Sequence, residues 1–251
     1  FVGSGFPFTR MADFSETAAV LPDRPTTQEL SAVFTLLGRM AAHVGHATTG
    51  LEVARPNGLP PVANRDLLVF GVLGRQPALN TLLRDGPVVL EGNRLSVALP
   101  DALEPFRNLF LGDEPRQQRD QAQALLSSPG EGAGMLIGFE SPLRSGRSVV
   151  ALTGTNPAGL EAMLTALRDP EQLPRVQGDL AVFSGGRVSA FNLGRHYTVG
   201  NLPPHVWPQF FFQTRPDLLL LLLAVACAIV AIPIYWALRR RAATRLRTRT
   251  T

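Results

Sequence analysis

The stretch Ser148 to Leu167, SVVALTGTNPAGLEAMLTAL, decides the fold. Ser148 to Leu152 reads as a strand. It runs through Gly154 and Thr155 into Asn156, an N-cap residue, and Pro157, whose ring suits the first position of a helix. Leu160, Met163, Leu164 and Leu167 then recur at helical spacing, so a strand feeds an amphipathic helix. The same unit appears twice upstream. Thr17 to Leu21 is a short apolar run ended by Pro22; Thr26 and Glu29 form a capping box before Leu30, Val33, Phe34, Leu37 and Met40. After Leu51 to Ala54 and a Pro/Gly loop, Asp66 to Leu73 (DLLVFGVL) is a buried-type strand followed by a helix candidate, Pro77 to Arg84. Strand and helix alternating in this way predict a mostly parallel sheet covered on both faces.

Between these units the pattern is antiparallel. Pro87 to Leu90 and Arg94 to Leu99 flank a glycine-containing loop, and Asp179 to Ser184 and Arg187 to Leu193 are joined by Gly185 and Gly186, both hairpin signals. A polar helix is expected over Arg116 to Leu126, and Gly132 to Glu140 returns to strand. Phe1 to Glu16 is too polar and glycine-rich for an element of its own and reads as a connector.

The C-terminal fifth is of another kind. Leu218 to Leu238, LLLLLLAVACAIVAIPIYWAL, carries no charged side chain and is long enough for a transmembrane helix. Arg239, Arg240 and Arg241 follow at once, then Arg245, Arg247 and Arg249, with no acid before Thr251. That asymmetry predicts a cytoplasmic C-terminus and everything before Leu218 outside. Pro233 removes a backbone donor inside the helix, and Ala224, Ala226, Cys227, Ala228 and Ala231 leave room for a partner helix to approach. In Leu202 to Pro216, LPPHVWPQFFFQTRP, His205, Gln209 and Gln213 fall on one helical face and Val206, Trp207, Phe210 and Phe211 on the other. It reads as a short interfacial helix beginning at Pro208, or as an aromatic belt without regular structure. Phe212 belongs to the same aromatic run, and Tyr235 and Trp236 supply the belt at the opposite surface.

All 24 basic residues are arginine, against 20 acids. Six lie in the tail, so the part before it is near neutral and the pI of about 10.4 describes the tail, which excludes a nucleic-acid surface. The one cysteine, Cys227, lies in the apolar stretch, so disulfides contribute nothing to the folded domain. With Phe1 first and no export signal, the chain is expected to be the C-terminal part of a longer polypeptide.

Chemistry is sparse. Gly154 to Gly159 (GTNPAG) can aim amides at an anion, but it lacks the Lys-Ser/Thr of a P-loop and reads as a structural turn. His43 and His46, three apart, have no third ligand nearby and read as an exposed helix end. No nucleophile elbow or identifiable carboxylate pair is present, and neither a cofactor nor a metal site is expected.

Gly5 to Asp13 (GFPFTRMAD) with Ser15, Glu16 and Thr17, then Val20 to Pro22, Gly178 to Ala181 (GDLA) and Val199 to Pro203 (VGNLP), closely resembles the C-terminal portion of the BcsB family, the regulatory component of bacterial cellulose synthase. The resemblance implies an α/β, flavodoxin-like periplasmic domain with antiparallel additions. It divides the chain into the end of a carbohydrate-binding domain (1–16), the flavodoxin-like domain (17–201), an interfacial amphipathic segment (202–216), a transmembrane helix (217–238) and a basic cytoplasmic tail (239–251). It implies a non-catalytic inner-membrane component that packs its anchor on the catalytic subunit, supports UDP-glucose polymerisation and guides nascent cellulose through the periplasm. Contact with further copies of itself is also implied.

Members are often labelled cyclic-di-GMP-binding. Arg241 and Arg245 fit half of the usual receptor pattern, and Asp13 and Ser15 fit part of the rest, with Ala18 where glycine belongs. The dinucleotide is therefore expected to act on the catalytic partner. A membrane-tethered adaptor of another envelope machine, or an anchored enzyme with a dispersed site, fits the physical features without the GFPFTRMAD match.

Overall fold

The computed structural model describes residues 3–99, 114–194, 197–199, 203–209 and 216–247; along the last helix, side chains are described at 221–236 and 238–239. The chain forms two compact units, Phe1–Asn201 and Leu202–Thr251.

The first unit is a mixed α/β fold around a seven-stranded sheet. In chain order its described elements are β1 (Thr17–Val20), α1 (Thr27–Val44), β2 (Glu52–Ala54), α2 (Leu59–Val62), β3 (Asp66–Val72), α3 (Ala78–Leu82), the hairpin β4 (Val88–Glu91) and β5 (Arg94–Val97), α4 (Glu114–Ser127), β6 (Gly134–Glu140), β7 (Ser148–Gly154), α5 (Pro157–Arg168), β8 (Leu180–Ser184) and β9 (Arg187–Phe191). Strand order is β2-β1-β3-β7-β6-β8-β9, and β4-β5 form a separate ribbon. The first four strands are mutually parallel, with Ala18 beside Leu67 and Leu67 beside Val149. The reversal of order at β1 and β3 is that of doubly wound α/β domains. From β7 outward, β6, β8 and β9 run antiparallel to their neighbours.

Strand alternation splits the core in two. On β3, Leu67 and Val69 face a cluster with α2, α3 and α4, while Leu68, Phe70 and Val72 face one with α1 and α5. Every residue of β3 and β7 is buried, as a strand covered on both faces requires. The elements follow local chemistry. Thr26 and Glu29 complete the capping box of α1, and Gly45, at φ 75°, ends it in the left-handed conformation. Asn156 caps α5 through its side chain, with Pro157 at the first position. The expected helix over 77–84 is shorter, ending in a 3-10 turn at Leu83–Asp85. Residues 3–16 have no regular secondary structure, yet Phe8 and Phe14 are buried against α1 and the sheet.

In the second unit, Trp207–Gln209 make one helical turn and α6 runs from Pro216 to Arg247 with Pro233 inside it. The expected transmembrane helix over 217–238 is corrected here, because among the described residues no helix is long and apolar enough to cross a membrane. Helix α6 runs on without a break from the apolar stretch through Arg239, Arg240 and Arg241 to Arg247, so Pro233 and the arginines belong to the same element as the apolar residues.

Close packing of α5 on β6 rests on glycine. A Cβ on Gly159 would lie 2.2 Å from the Ala133 carbonyl oxygen, and one on Gly134 2.4 Å from that of Gly159. Gly159→Ala is expected to cost about 2 kcal/mol by forcing helix and strand apart, read as a lower urea midpoint with unchanged slope.

Candidate functional site

In doubly wound sheets ligands bind beyond the carboxyl ends of the strands, where the strand order reverses. Here that place, between the ends of β1 and β3, is filled by the protein itself. The buried Glu29 carboxylate accepts from the Thr26 amide (2.7 Å) and hydroxyl (3.0 Å) with one oxygen and from the Val72 amide (3.1 Å) with the other. Beside it the buried Gln76 amide donates to the carbonyls of Phe70 (2.7 Å) and Val20 (3.3 Å). Gly71, at φ 152°, makes room for it, since a Cβ there would lie 2.8 Å from that of Gln76.

The neighbouring loop 154–159 is equally occupied. The Asn156 side chain accepts from the Gly159 amide at 3.0 Å, and the Thr155 amide donates to the Ala133 carbonyl at 2.9 Å. It is a structural turn that closes on its own groups. Further along the same edge lies a cavity of about 240 Å³, walled by Leu73, Leu95, Leu126 and Met135, with Arg94 and Thr155 at its rim. Among the described residues its lining contains no carboxylate, histidine or cysteine.

The opposite edge is charged. Asp66, at the start of β3, has a fully buried side chain whose Oδ1 accepts from the Ser148 amide at 2.7 Å. Its Oδ2 lies 3.5 Å from Arg10 and 3.4 Å from Arg147. Glu16 is paired with Arg10 and, at 2.8 Å, with Arg147. The Arg147 hydrogen bond holds the Glu16 carboxyl below its usual range, against the opposing effect of burial and with further help from the Arg10 and Arg147 charges. None of these four was singled out as a site by sequence reasoning. An acid opening a strand that is otherwise apolar, as Asp66 does, was the available signal.

The remaining expected residues lie apart. His43 and His46 are exposed, His46 sharing its Nδ1 with the Ala47 carbonyl, and no group of three metal-ligating side chains occurs among the described residues. Asp13 accepts from the Ser15 amide at 3.0 Å, a local turn whose hydrogen bonds hold its carboxyl low. In the second unit Trp207, Tyr235 and Trp236 are exposed, as are Ala224, Ala226, Cys227, Ala228, Ala231, Pro233 and Arg239. Phe210, Phe211 and Phe212 lie outside the described residues, and Arg240 and Arg241 are described in backbone only.

Fold and edges together define a doubly wound α/β domain whose ligand crevice is filled by its own side chains. The chain matches the family model described as cellulose synthase BcsB, second FD domain, over residues 1–152, and it belongs to that family. It is 35% identical over 98% of its length to a protein named cellulose synthase 2 from Novacetimonas hansenii, of which it covers 16%. It is 34% identical, again over 98% of its length, to proteins named cyclic di-GMP-binding protein from Xanthomonas axonopodis pv. citri and Pseudomonas fluorescens, covering 31% and 33% of them. The chain thus spans a third or less of each of these relatives.

Two outcomes follow from this geometry. Glu29→Gln places an amide donor against donors at the end of β3 and is expected to cost about 2 kcal/mol, measured by urea unfolding. For Glu16, the folded carboxyl titrates below the unfolded one, so its stabilisation is complete above the unfolded glutamate value and is lost as pH falls through the lowered folded value. Acidification through that window should speed amide exchange at residues 8–16 before the strands.

Proposed function

We propose that the chain is a non-catalytic part of the bacterial cellulose synthase complex, its α/β unit working on the periplasmic side of the inner membrane. Membership of the BcsB family carries this reading, and the names of the relatives agree with it. The filled crevice supports the non-catalytic assignment, since the place where this fold class holds substrates is given over to Glu29 and Gln76.

The contact with the catalytic subunit is assigned to α6. Leu221, Leu222, Ile229, Val230 and Ile232 are all more than half exposed, an apolar surface that calls for cover. Ala224, Ala226, Cys227, Ala228 and Ala231 keep side chains short, so a second helix can come close; Pro233 leaves a carbonyl without its usual amide for such a neighbour to cover. Trp207 and the Tyr235–Trp236 pair suit a boundary between apolar and aqueous surroundings, and Arg239 to Arg241 suit anionic lipid heads. Through this contact the chain supports polymerisation of UDP-glucose by its partner, and the α/β unit lies beside the emerging glucan.

Cyclic di-GMP acts, in this reading, on the catalytic partner. The Asp13–Ser15 pair is closed into a turn, with the Asp13 carbonyl accepting from the Gly50 amide at 2.7 Å.

Replacing residues 218–238 by leucine, with the arginines kept, is expected to abolish glucan synthesis by the reconstituted complex while the α/β unit keeps its urea midpoint. Full synthesis with the swapped helix would remove the packing role. The chain alone should turn over neither UDP-glucose nor cello-oligosaccharides; turnover lost on a point change in the cavity at Arg94 would make it an enzyme.

A further inference from the structure

The charged edge of the sheet is where the chain both enters and leaves the first unit. Arg10 and Glu16 belong to the N-terminal segment, and the Asp66 amide donates to the Glu16 carbonyl at 2.8 Å. Phe8 and Phe14 anchor the same segment in the core. On the way out, the Asp179 carboxylate accepts from the amides of Leu193 (3.0 Å) and Gly194 (2.7 Å), and the Tyr197 hydroxyl donates to the Ser148 Oγ at 3.0 Å. Ser148 is the residue whose amide the buried Asp66 carboxylate accepts, and Arg147 beside it reaches both Asp66 and Glu16. Two arginines thus face two carboxylates, and one serine carries the contact to the departing chain.

We infer that this cluster is a two-sided latch, in which Asp66 and Arg147 hold the N-terminal segment and the linker leading to the second unit at once, so that releasing either side releases the other. The physical ground is the burial of Asp66. A fully buried carboxylate is stable only while its partners remain, and losing one leaves a charge that must reach water. Water reaches it by displacing what covers that edge, the turn at Arg10 to Glu16 on one side and Tyr197 on the other. Glu140 is engaged with Ser145 (2.6 Å) and Gly146 (2.9 Å), and Arg65, paired with Glu52 (3.0 Å), donates to the carbonyls of Ser15 and Gly50, so Arg65 adds a backbone tie to the segment and neither group replaces a lost partner of the Asp66 carboxylate.

The chain has two tyrosines, Tyr197 and Tyr235, so in a Tyr235→Phe background phenolate absorbance reports Tyr197 alone. Burial pushes its phenol above the ordinary value against the opposing effect of the Ser148 hydrogen bond, with smaller upward contributions from the charges of Asp179, Glu140 and Asp66. In the full chain carrying Arg147→Met, the phenol is expected to fall to the ordinary tyrosine value, and amide exchange at residues 8–16 to rise about tenfold while β3 and β7 stay protected. Tyr197→Phe should in turn raise exchange at 8–16. Arg10→Gln, on the exposed side of the cluster, supplies the same double readout if Arg147→Met fails to fold. Faster exchange at 8–16 with an unmoved Tyr197 titration, or a Tyr197→Phe variant that leaves 8–16 unchanged, overturns the latch.

Discussion

The carboxylate of Glu29 is the constraint on which the first unit depends. It completes the cap of α1 and accepts from the Val72 amide at the end of β3, so one buried group sets where the helix starts and how it meets the sheet. A buried carboxylate must be fully satisfied, and here the two oxygens are engaged by donors from two different elements. With α1 seated in this way, Glu29 occupies the end of β3 at the strand-order reversal, and Gln76 lies beside it, bonded to the carbonyls of Phe70 and Val20. The fold therefore keeps the frame of a binding domain and has given the binding place to its own structure.

Much of this was legible in the sequence because it is local. The alternation of strand and helix, the capping box, the Asn156–Pro157 start of α5 and the Gly185–Gly186 turn, whose φ values of 56° and 73° suit a tight hairpin, all come from neighbours along the chain. The long-range partners were not legible. The Thr26–Glu29 box is visible as a motif, but nothing near it names Val72 as the third partner. Arg147 lies 131 residues from Glu16 and 81 from Asp66, so pairing had to await the fold. The direction of β6 was hidden for the same reason: a strand reads alike in either direction, and only its pairing with β7 and β8 makes it antiparallel. The apolar C-terminal stretch illustrates the converse, since hydropathy alone suggested a span, whereas among the described residues no helix is long and apolar enough to cross a membrane.

The two edges of the sheet divide the work differently from an enzyme of this class. At the carboxyl ends, backbone groups are consumed by side chains and caps. At the amino ends, charge is concentrated around one buried aspartate, and the parts of the chain that lead in and out are tied there. Interactions of this kind do little for net stability compared with an apolar core of the same volume, but they are strict about geometry.

The order of strands also bears on how the molecule is made. β6 and β7 are joined by a loop of only seven residues, 141–147, and β8 and β9 by two glycines, so this half of the sheet assembles from contacts close in sequence. The parallel half joins β3 to β7 across 75 intervening residues and needs a long loop closed before it gains anything. Hairpins form in microseconds, whereas parallel pairing at such separation is slow. The antiparallel half is thus a template that waits for β1, β2 and β3 to dock, and during that wait the bare edge of β7 is the surface most exposed to pairing with the wrong chain.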